Sequence, residues 1–225
     1  YVKGYNSAVK HYIYTNKIKI IEKILENLEI KFEISEDGGI HGYRNTNPFR
    51  LDADPFVTRL FNYLANYPGF VVTVDYGNWD QISHQPQAIA NLAKLYPNID
   101  FVVCHLSFPH ADTPNRLRAE LSMWKDLPNI YTDISAIQDI DRPDTFPFPK
   151  SEKNVRIAKE VLGAKRIIWG TDSPWSATFN TYEELATWLE HVDIFTPEEL
   201  EDVLYNNAER VYFKPSAVQA NREAV

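Results

Sequence analysis

Phe101-Val102-Val103-Cys104-His105 decides the fold: an unbroken apolar run is followed at once by a polar, chemically capable side chain. The same pattern recurs at Phe70-Val71-Val72-Thr73-Val74-Asp75 and at Ile130-Tyr131-Thr132-Asp133. It returns at Arg166-Ile167-Ile168-Trp169, which leads through Gly170-Thr171 to Asp172. Continuous β-branched and aromatic runs, without in–out alternation, mark strands buried on both faces, as in parallel sheets. Between them lie stretches with apolar residues three and four apart, such as Ile89, Leu92, Ala93 and Tyr96 within 86–96. Similar helical stretches are predicted over 115–127, 153–162 and 182–191. Strands alternating with helices of this length leave an open doubly wound sheet or a (β/α)8 barrel. A doubly wound nucleotide binder carries a glycine-rich turn after an early strand. The eight glycines form no such turn, so the α/β TIM barrel is preferred.

Working outward, a helix is predicted over 16–28 (Ile18, Ile21, Ile24, Leu25, Leu28) and another over 55–67, opening at Pro55. Short extended segments are predicted at 30–34 and 40–44. The last helical stretch, 197–211, opens behind Thr196 as N-cap with Glu198 and Glu199 in its first turn. Without repeats or low-complexity linkers, residues 1–225 read as a single domain. A complete barrel takes about 250 residues, and only five or six strands are counted. The expectation is a TIM barrel lacking its N-terminal βα units in a chain that opens at Tyr1 with no signal-peptide pattern.

Composition narrows the function classes. Lys and Arg number 23 against 31 Asp and Glu, a net charge of −8. Nucleic acid and anionic membrane surfaces both require clustered cations, so neither is an expected partner. No run approaches the roughly 18 apolar residues of a membrane span. The single cysteine, Cys104, excludes an intrachain disulfide framework and Cys-rich zinc sites. The expected setting is cytoplasmic and the expected partner a small molecule. Trp79, Trp175 and Trp188 are aromatics for a pocket or for a homo-oligomer contact.

In a parallel barrel, chemistry sits where strands end on the C-terminal side. The residues there are His41 and Arg44, then Asp75, His105, Asp133 and Asp172, types suited to metal binding and proton transfer. Asp172, in Gly170-Thr171-Asp172-Ser173-Pro174-Trp175, and His105 are the strongest candidates. Arg44 can fork onto a substrate carboxylate. Asp133 reads as a loop-orienting residue, His84 as a helix start, His191 as a helix C-terminus, and His110 and Asp112 as solvated or capping. Cys104 reads as packed, on the ground that strand neighbours point to opposite faces. No Gly-x-Ser-x-Gly elbow, P-loop or His-Glu-x-x-His is present.

The stretches Gly39-Ile40-His41-Gly42-Tyr43-Arg44, Leu92-Ala93-Lys94-Leu95-Tyr96-Pro97-Asn98-Ile99, Val103-Cys104-His105-Leu106 and Leu127-Pro128-Asn129-Ile130-Tyr131-Thr132-Asp133 come in one order. They are followed by Ile168-Trp169-Gly170-Thr171-Asp172-Ser173-Pro174-Trp175 and Asn206-Asn207-Ala208-Glu209-Arg210. Over about residues 39–213 the chain resembles the amidohydrolase-related TIM-barrel metal-dependent hydrolases. Within them it resembles the branch of aminocarboxymuconate-semialdehyde decarboxylase, pyrone-dicarboxylate lactonase and sugar lactonases. The resemblance implies hydrolysis of a lactone or related C–O/C–N bond of a small carboxylated molecule, or its decarboxylation. It implies that Asp172 binds a divalent metal (zinc, or manganese) or acts as base for water. It gives His105 the role of polarising the substrate carbonyl, assisting the water or serving as a metal ligand. Substrate contacts are expected from His41, Arg44, Asp75 and Trp175. Two departures stand out. No His-x-His pair occurs among the six histidines, and Asp75 stands where the family's fifth strand ends in His. Metal-free members of the branch and non-catalytic barrels fit the same departures.

Overall fold

The computed structural model describes residues 33–34, 40–41 and 50–213, apart from 68, 80 and 82. Contacts group the chain into two units, Tyr1–Pro48 and Phe49–Val225. In the first, β1 (Glu33–Ile34) pairs antiparallel with β2 (Ile40–His41), Glu33 opposite His41 and Ile34 opposite Ile40. The two early extended segments therefore pair with each other and are not counted with the parallel strands. The helix expected over 16–28 lies outside the described residues.

The second unit is built on a four-stranded parallel sheet of β3 (Phe70–Val74), β4 (Ile99–Val103), β5 (Ile130–Asp133) and β6 (Ile167–Ile168), neighbours in chain order. The connecting helices are α1 (Pro55–Leu64), α2 (Pro86–Leu95), α3 (Pro114–Ser122), α4 (Ile137–Ile140) and α5 (Pro149–Leu162). They are followed by α6 (Tyr182–Thr187), α7 (Pro197–Glu201) and α8 (Asn207–Tyr212). Proline opens α1, α2, α3, α5 and α7, where its missing N–H costs nothing. Asp54 caps α1 by accepting from Phe56 N and Val57 N, while Thr181 with Glu184 and Thr196 with Glu199 form capping boxes.

Two boundaries differ from expectation. The helix read over 197–211 is divided by a π-helical turn, Asp202–Asn206, between α7 and α8. That turn draws in β6: Trp169 N donates to Val203 O at 3.0 Å, so the strand read as 166–169 leaves the ladder after Ile168.

All five residues of β4 are buried, Asp100 among them, as a strand covered on both faces requires. On one face Phe101 stacks on Phe61 (5.5 Å, 3° between planes), which meets Tyr96. On the other, Val102, Tyr131 and Ile168 pack with Val211 of α8, joined by Val71, Ala208 and Tyr212. Because side chains alternate along a strand, that second face continues from Val71 through Thr73 toward Asp75, and from Tyr131 to Asp133. Trp188 is core, 3% exposed beside Phe148, rather than a surface aromatic. Two motif asparagines tie the opposite end of the sheet. Asn129 Nδ2 donates to the carbonyls of Ala93, Tyr96 and Ile99, and Asn207 Nδ2 to those of Ala164 and Ile167. No helix among the described residues is long and apolar enough to cross a membrane.

Candidate active site

The polar residues singled out after β3, β4, β5 and β6 come together at the C-terminal ends of these parallel strands. His105 is carried by a left-handed turn. Four consecutive residues, His105, Leu106, Ser107 and Phe108, have φ between 49° and 62°. For residues other than glycine this conformation costs about 1 kcal/mol or more each, so the turn exists only because its surroundings hold it. Asp133, the last residue of β5, does much of that holding: its Oδ1 accepts from His105 N (3.0 Å), Ser135 N (3.0 Å) and Ser135 Oγ (2.6 Å). Asp133 thus orients loops, as its sequence context suggests.

These bonds also fix the ring of His105. Its Nδ1 lies 2.9 Å from Ser135 O and 3.0 Å from Ser135 Oγ. The Ser135 hydroxyl proton is committed to Asp133, so both neighbours of Nδ1 are acceptors and Nδ1 carries a hydrogen. Nε2 is left as the working atom, 3.9 Å from Asp75 Oδ2. Cys104 belongs to the turn and not to β4, which corrects the opposite-faces argument. Burial, then Asp133 and Asp75, push its thiol far above the ordinary range, and it remains protonated.

Asp172 reaches the same rim by a different device. A side chain at Gly170 would place its Cβ 3.1 Å from Ser135 Cβ, so glycine lets the chain leaving β6 pass close to the Ser135 loop. Asp172 itself is left-handed (φ 56°). Its pKa is raised above the usual aspartate value. Burial is the main cause, His105 opposes it, and the carboxylates of Asp133, Asp139 and Asp75 add to it. Asp139, in α4, is a member of this cluster that sequence reading missed. Its Oδ2 accepts from Ser176 Oγ (2.6 Å), Oδ1 is buried without a hydrogen-bond partner, and burial raises its pKa. The signal available was a carboxylate set between two isoleucines, Ile137-Gln138-Asp139-Ile140, just past a strand end.

A second, buried network backs the His105 turn. Tyr76 OH donates to Ser107 Oγ (2.5 Å), which donates to Glu120 Oε2 (2.9 Å). Glu120 Oε1 is 2.8 Å from Arg116 Nε and 3.2 Å from His84 Nε2. His84, read as a helix start, is therefore a network member with its side chain only 6% exposed. Glu120 sits between Leu117 and Leu121 on the inward face of α3, a placement that pattern reading could have flagged. Burial pushes its carboxyl up, but His84 and Arg116 outweigh that and hold it below the usual range. Its ionised form thus stabilises the fold above the unfolded carboxyl value, and that contribution is lost as pH falls through the folded one. Glu120→Ala is expected to lower stability by about 3 kcal/mol, to flatten this acid dependence, and to be read by urea unfolding at pH 7 and pH 4.

The other expected site residues are placed as follows. Asp75 lies at the rim with its side chain 58% exposed, and its Oδ1 accepts from Gly77 N. Trp175 is 61% exposed, three residues beyond Asp172. His41 lies in β2 of the first unit, and Arg44 lies outside the described residues. His110 is paired rather than solvated, with Nδ1 2.9 Å from Asp141 Oδ1 and Trp79 edge-on to its ring. A cavity of about 650 Å³ lies at the other end of the sheet, lined by Lys125, Tyr131, Lys165, Arg166 and Arg210 among others. It is separate from this rim, and Arg166 spends its donors there on the carbonyls of Trp124, Lys125, Leu127 and Leu162. Among the described residues no group of three or more His, Cys, Asp or Glu side chains is arranged to hold a metal ion. His105 Nε2 and the Asp172 carboxyl are donors, but the described set does not fit a complete divalent site.

A family model described as amidohydrolase matches residues 35–214. The chain belongs to the amidohydrolase family. An amidohydrolase from Burkholderia multivorans shares its fold at TM-score 0.63 and 20% identity, over 73% of this chain and 60% of that one. A TIM-barrel protein of Bordetella bronchiseptica follows at TM-score 0.56 and 20% identity, over 79% and 55%. A probable 2-pyrone-4,6-dicarboxylic acid hydrolase of Acinetobacter baumannii gives 0.54 and 16%, over 75% and 61%. Among curated proteins, protein fluG of Emericella nidulans is 22% identical over 144 residues, 58% of this chain and 15% of that protein. The fold is thus of the TIM-barrel class, and the described parallel strands number four of a barrel's eight. The chain spans about 60% of the Burkholderia amidohydrolase and 15% of FluG.

Proposed function

We propose that this amidohydrolase activates water at the C-terminal rim of its sheet to open a lactone, or to cleave a related C–O or C–N bond, in a small carboxylated molecule. One observation carries the reading: Asp172, solvent-accessible at the rim and with a raised pKa, lies within electrostatic reach of His105, whose ring is held so that only Nε2 is free. A carboxylate with a raised pKa is a better proton acceptor near neutrality than an ordinary one.

Asp172 takes a proton from water as the oxygen attacks the carbonyl carbon. The free Nε2 of His105 is turned to the oxygen that gains negative charge, where an N–H on it would donate a hydrogen bond. As the tetrahedral intermediate collapses, the ring C–O bond breaks and the departing alkoxide takes the proton held by Asp172, giving a hydroxy acid. Asp133 and Ser135 keep His105 in register throughout. The substrate class follows the resemblance of residues 39–213 to the lactonase and decarboxylase branch. The described donors do not complete a divalent site.

The test is ring opening of a panel of lactones with and without a carboxylate substituent, followed by proton release, with and without added Zn²⁺ or Mn²⁺. Turnover of the carboxylated lactones supports the reading. CO₂ release in place of ring opening would turn it to a decarboxylase, and saturable binding with no reaction under any condition would make the barrel a binding protein.

A further inference from the structure

We infer that Arg142 and Phe179, with Trp175, form a lip that recognises a carboxylate on a planar substrate beside Asp172. This rests on the reading of the rim as the active site and adds to it a substrate-binding pair. The Arg142 guanidinium carbon lies 3.8 Å from the centre of the Phe179 ring. Phe179 in turn meets Trp175 edge to face, 5.6 Å between centroids at 79°. Both aromatics are exposed, 41% and 61%, in a fold that buries most of its large apolar side chains. Arg142 Nε donates to Asp139 O at 3.0 Å. Its two terminal nitrogens have no hydrogen-bond partner among the described residues.

Each part is tied to the rim. Trp175 follows Asp172 by three residues, and Ser176 Oγ donates to Asp139 Oδ2, locking the Trp175 loop to the segment that carries Arg142. An arginine anchored through Nε and laid against an aromatic ring has lost much of its rotamer freedom, while the edge bearing its terminal N–H groups stays open for a two-point contact with a carboxylate. The need for such a cation is plain from the company: Asp75, Asp133, Asp139 and Asp172 make this rim acidic, and an anionic substrate approaching it is otherwise repelled. The exposed ring faces of Phe179 and Trp175 supply apolar area for the flat body of the ligand.

The test separates binding from turnover. Titration calorimetry of the whole chain with benzene-1,3-dicarboxylate and with its monomethyl ester reads the contact without any reaction. The dicarboxylate is expected to bind the wild type about tenfold or more tightly than the ester does. Arg142→Ala is expected to abolish that preference, Arg142→Lys to restore only part of it, and Phe179→Ala to weaken the dicarboxylate selectively. Unchanged circular dichroism and melting temperature confirm that each variant is folded. With a carboxylated lactone, Arg142→Ala is expected to raise KM with kcat kept within about twofold. Dicarboxylate binding by Arg142→Ala within twofold of wild type, or no dicarboxylate binding by the wild type, would overturn the assignment. Wild-type binding with loss at Arg142→Ala but no lactone turnover would sustain the lip and refute the hydrolase reading. Lactone turnover with no effect of Arg142→Ala would do the reverse.

Discussion

Asp172→Asn is expected to lower kcat/KM for lactone opening by about a thousandfold, in the range that a positioned general base supplies. Asparagine keeps the size of the side chain and its left-handed backbone, a conformation it tolerates well, so the loss is one of proton acceptance and not of shape. Stability gives an independent check on sign. The fold raises the Asp172 pKa, chiefly by burial. The ionised form is therefore disfavoured in the folded state: any stability linked to this group is present below the unfolded carboxyl value and is lost as pH rises through the folded one. At pH 7 the amide relieves that penalty. The melting temperature of Asp172→Asn is expected to equal or exceed that of the wild type while activity collapses. A variant that loses both would have failed structurally and would say nothing for a proton-transfer role.

Asp133→Ala is expected to cost about 3 kcal/mol of stability and about a hundredfold in kcat/KM, although Asp133 touches no reacting atom in the scheme above. Truncation removes the single oxygen that accepts from His105 N, Ser135 N and Ser135 Oγ. Each backbone donor left without a partner costs about 1–3 kcal/mol. Asp133 is the group that ties both the His105 backbone and the Ser135 loop holding its ring, and misplacement of Nε2 by about an ångström is worth about a hundredfold. Asp133→Asn retains an acceptor oxygen at the same position and is expected to recover kcat/KM to within about tenfold of wild type. Equal losses in the alanine and asparagine variants would instead make the charge of Asp133 the functional property. Urea unfolding and steady-state kinetics on the three proteins read both effects.

The parallel sheet was legible because its strands are buried on both faces, and burial writes itself as unbroken apolar runs. The same logic located the rim residues Asp75, His105, Asp133 and Asp172, since a polar residue directly after such a run stands at a strand end. What escaped notice depends on backbone conformations and contacts that no local pattern encodes. The left-handed run from His105 to Phe108 contains no glycine to announce it, and it is stabilised from β5 and α3, 28 and 13 residues away in the case of Asp133 and Glu120. Cys104 therefore reads as a strand residue although β4 ends at Val103. Trp188 reads like Trp79 and Trp175 because composition cannot tell a core aromatic from a rim one. The π turn at Asp202–Asn206 is invisible to a 3.6-residue period, since Leu200, Val203 and Val211 keep a plausible helical spacing across it. Asp139, in α4, and Arg142, just beyond it, follow β5, and their relation to Trp175 and Ser176 exists only once β5 and β6 are paired.

The most direct test of the central claim is the pH dependence of kcat/KM for hydrolysis of a carboxylated lactone, measured on the wild type and on Asp172→Asn. If Asp172 is the base, the wild-type rate falls on the acid side with an apparent pKa above that of an ordinary aspartate, because the carboxyl must be ionised to accept the water proton. The residual rate of Asp172→Asn then shows no such limb. An acid limb that survives in Asp172→Asn, or a variant that turns over at the wild-type rate, would contradict the account.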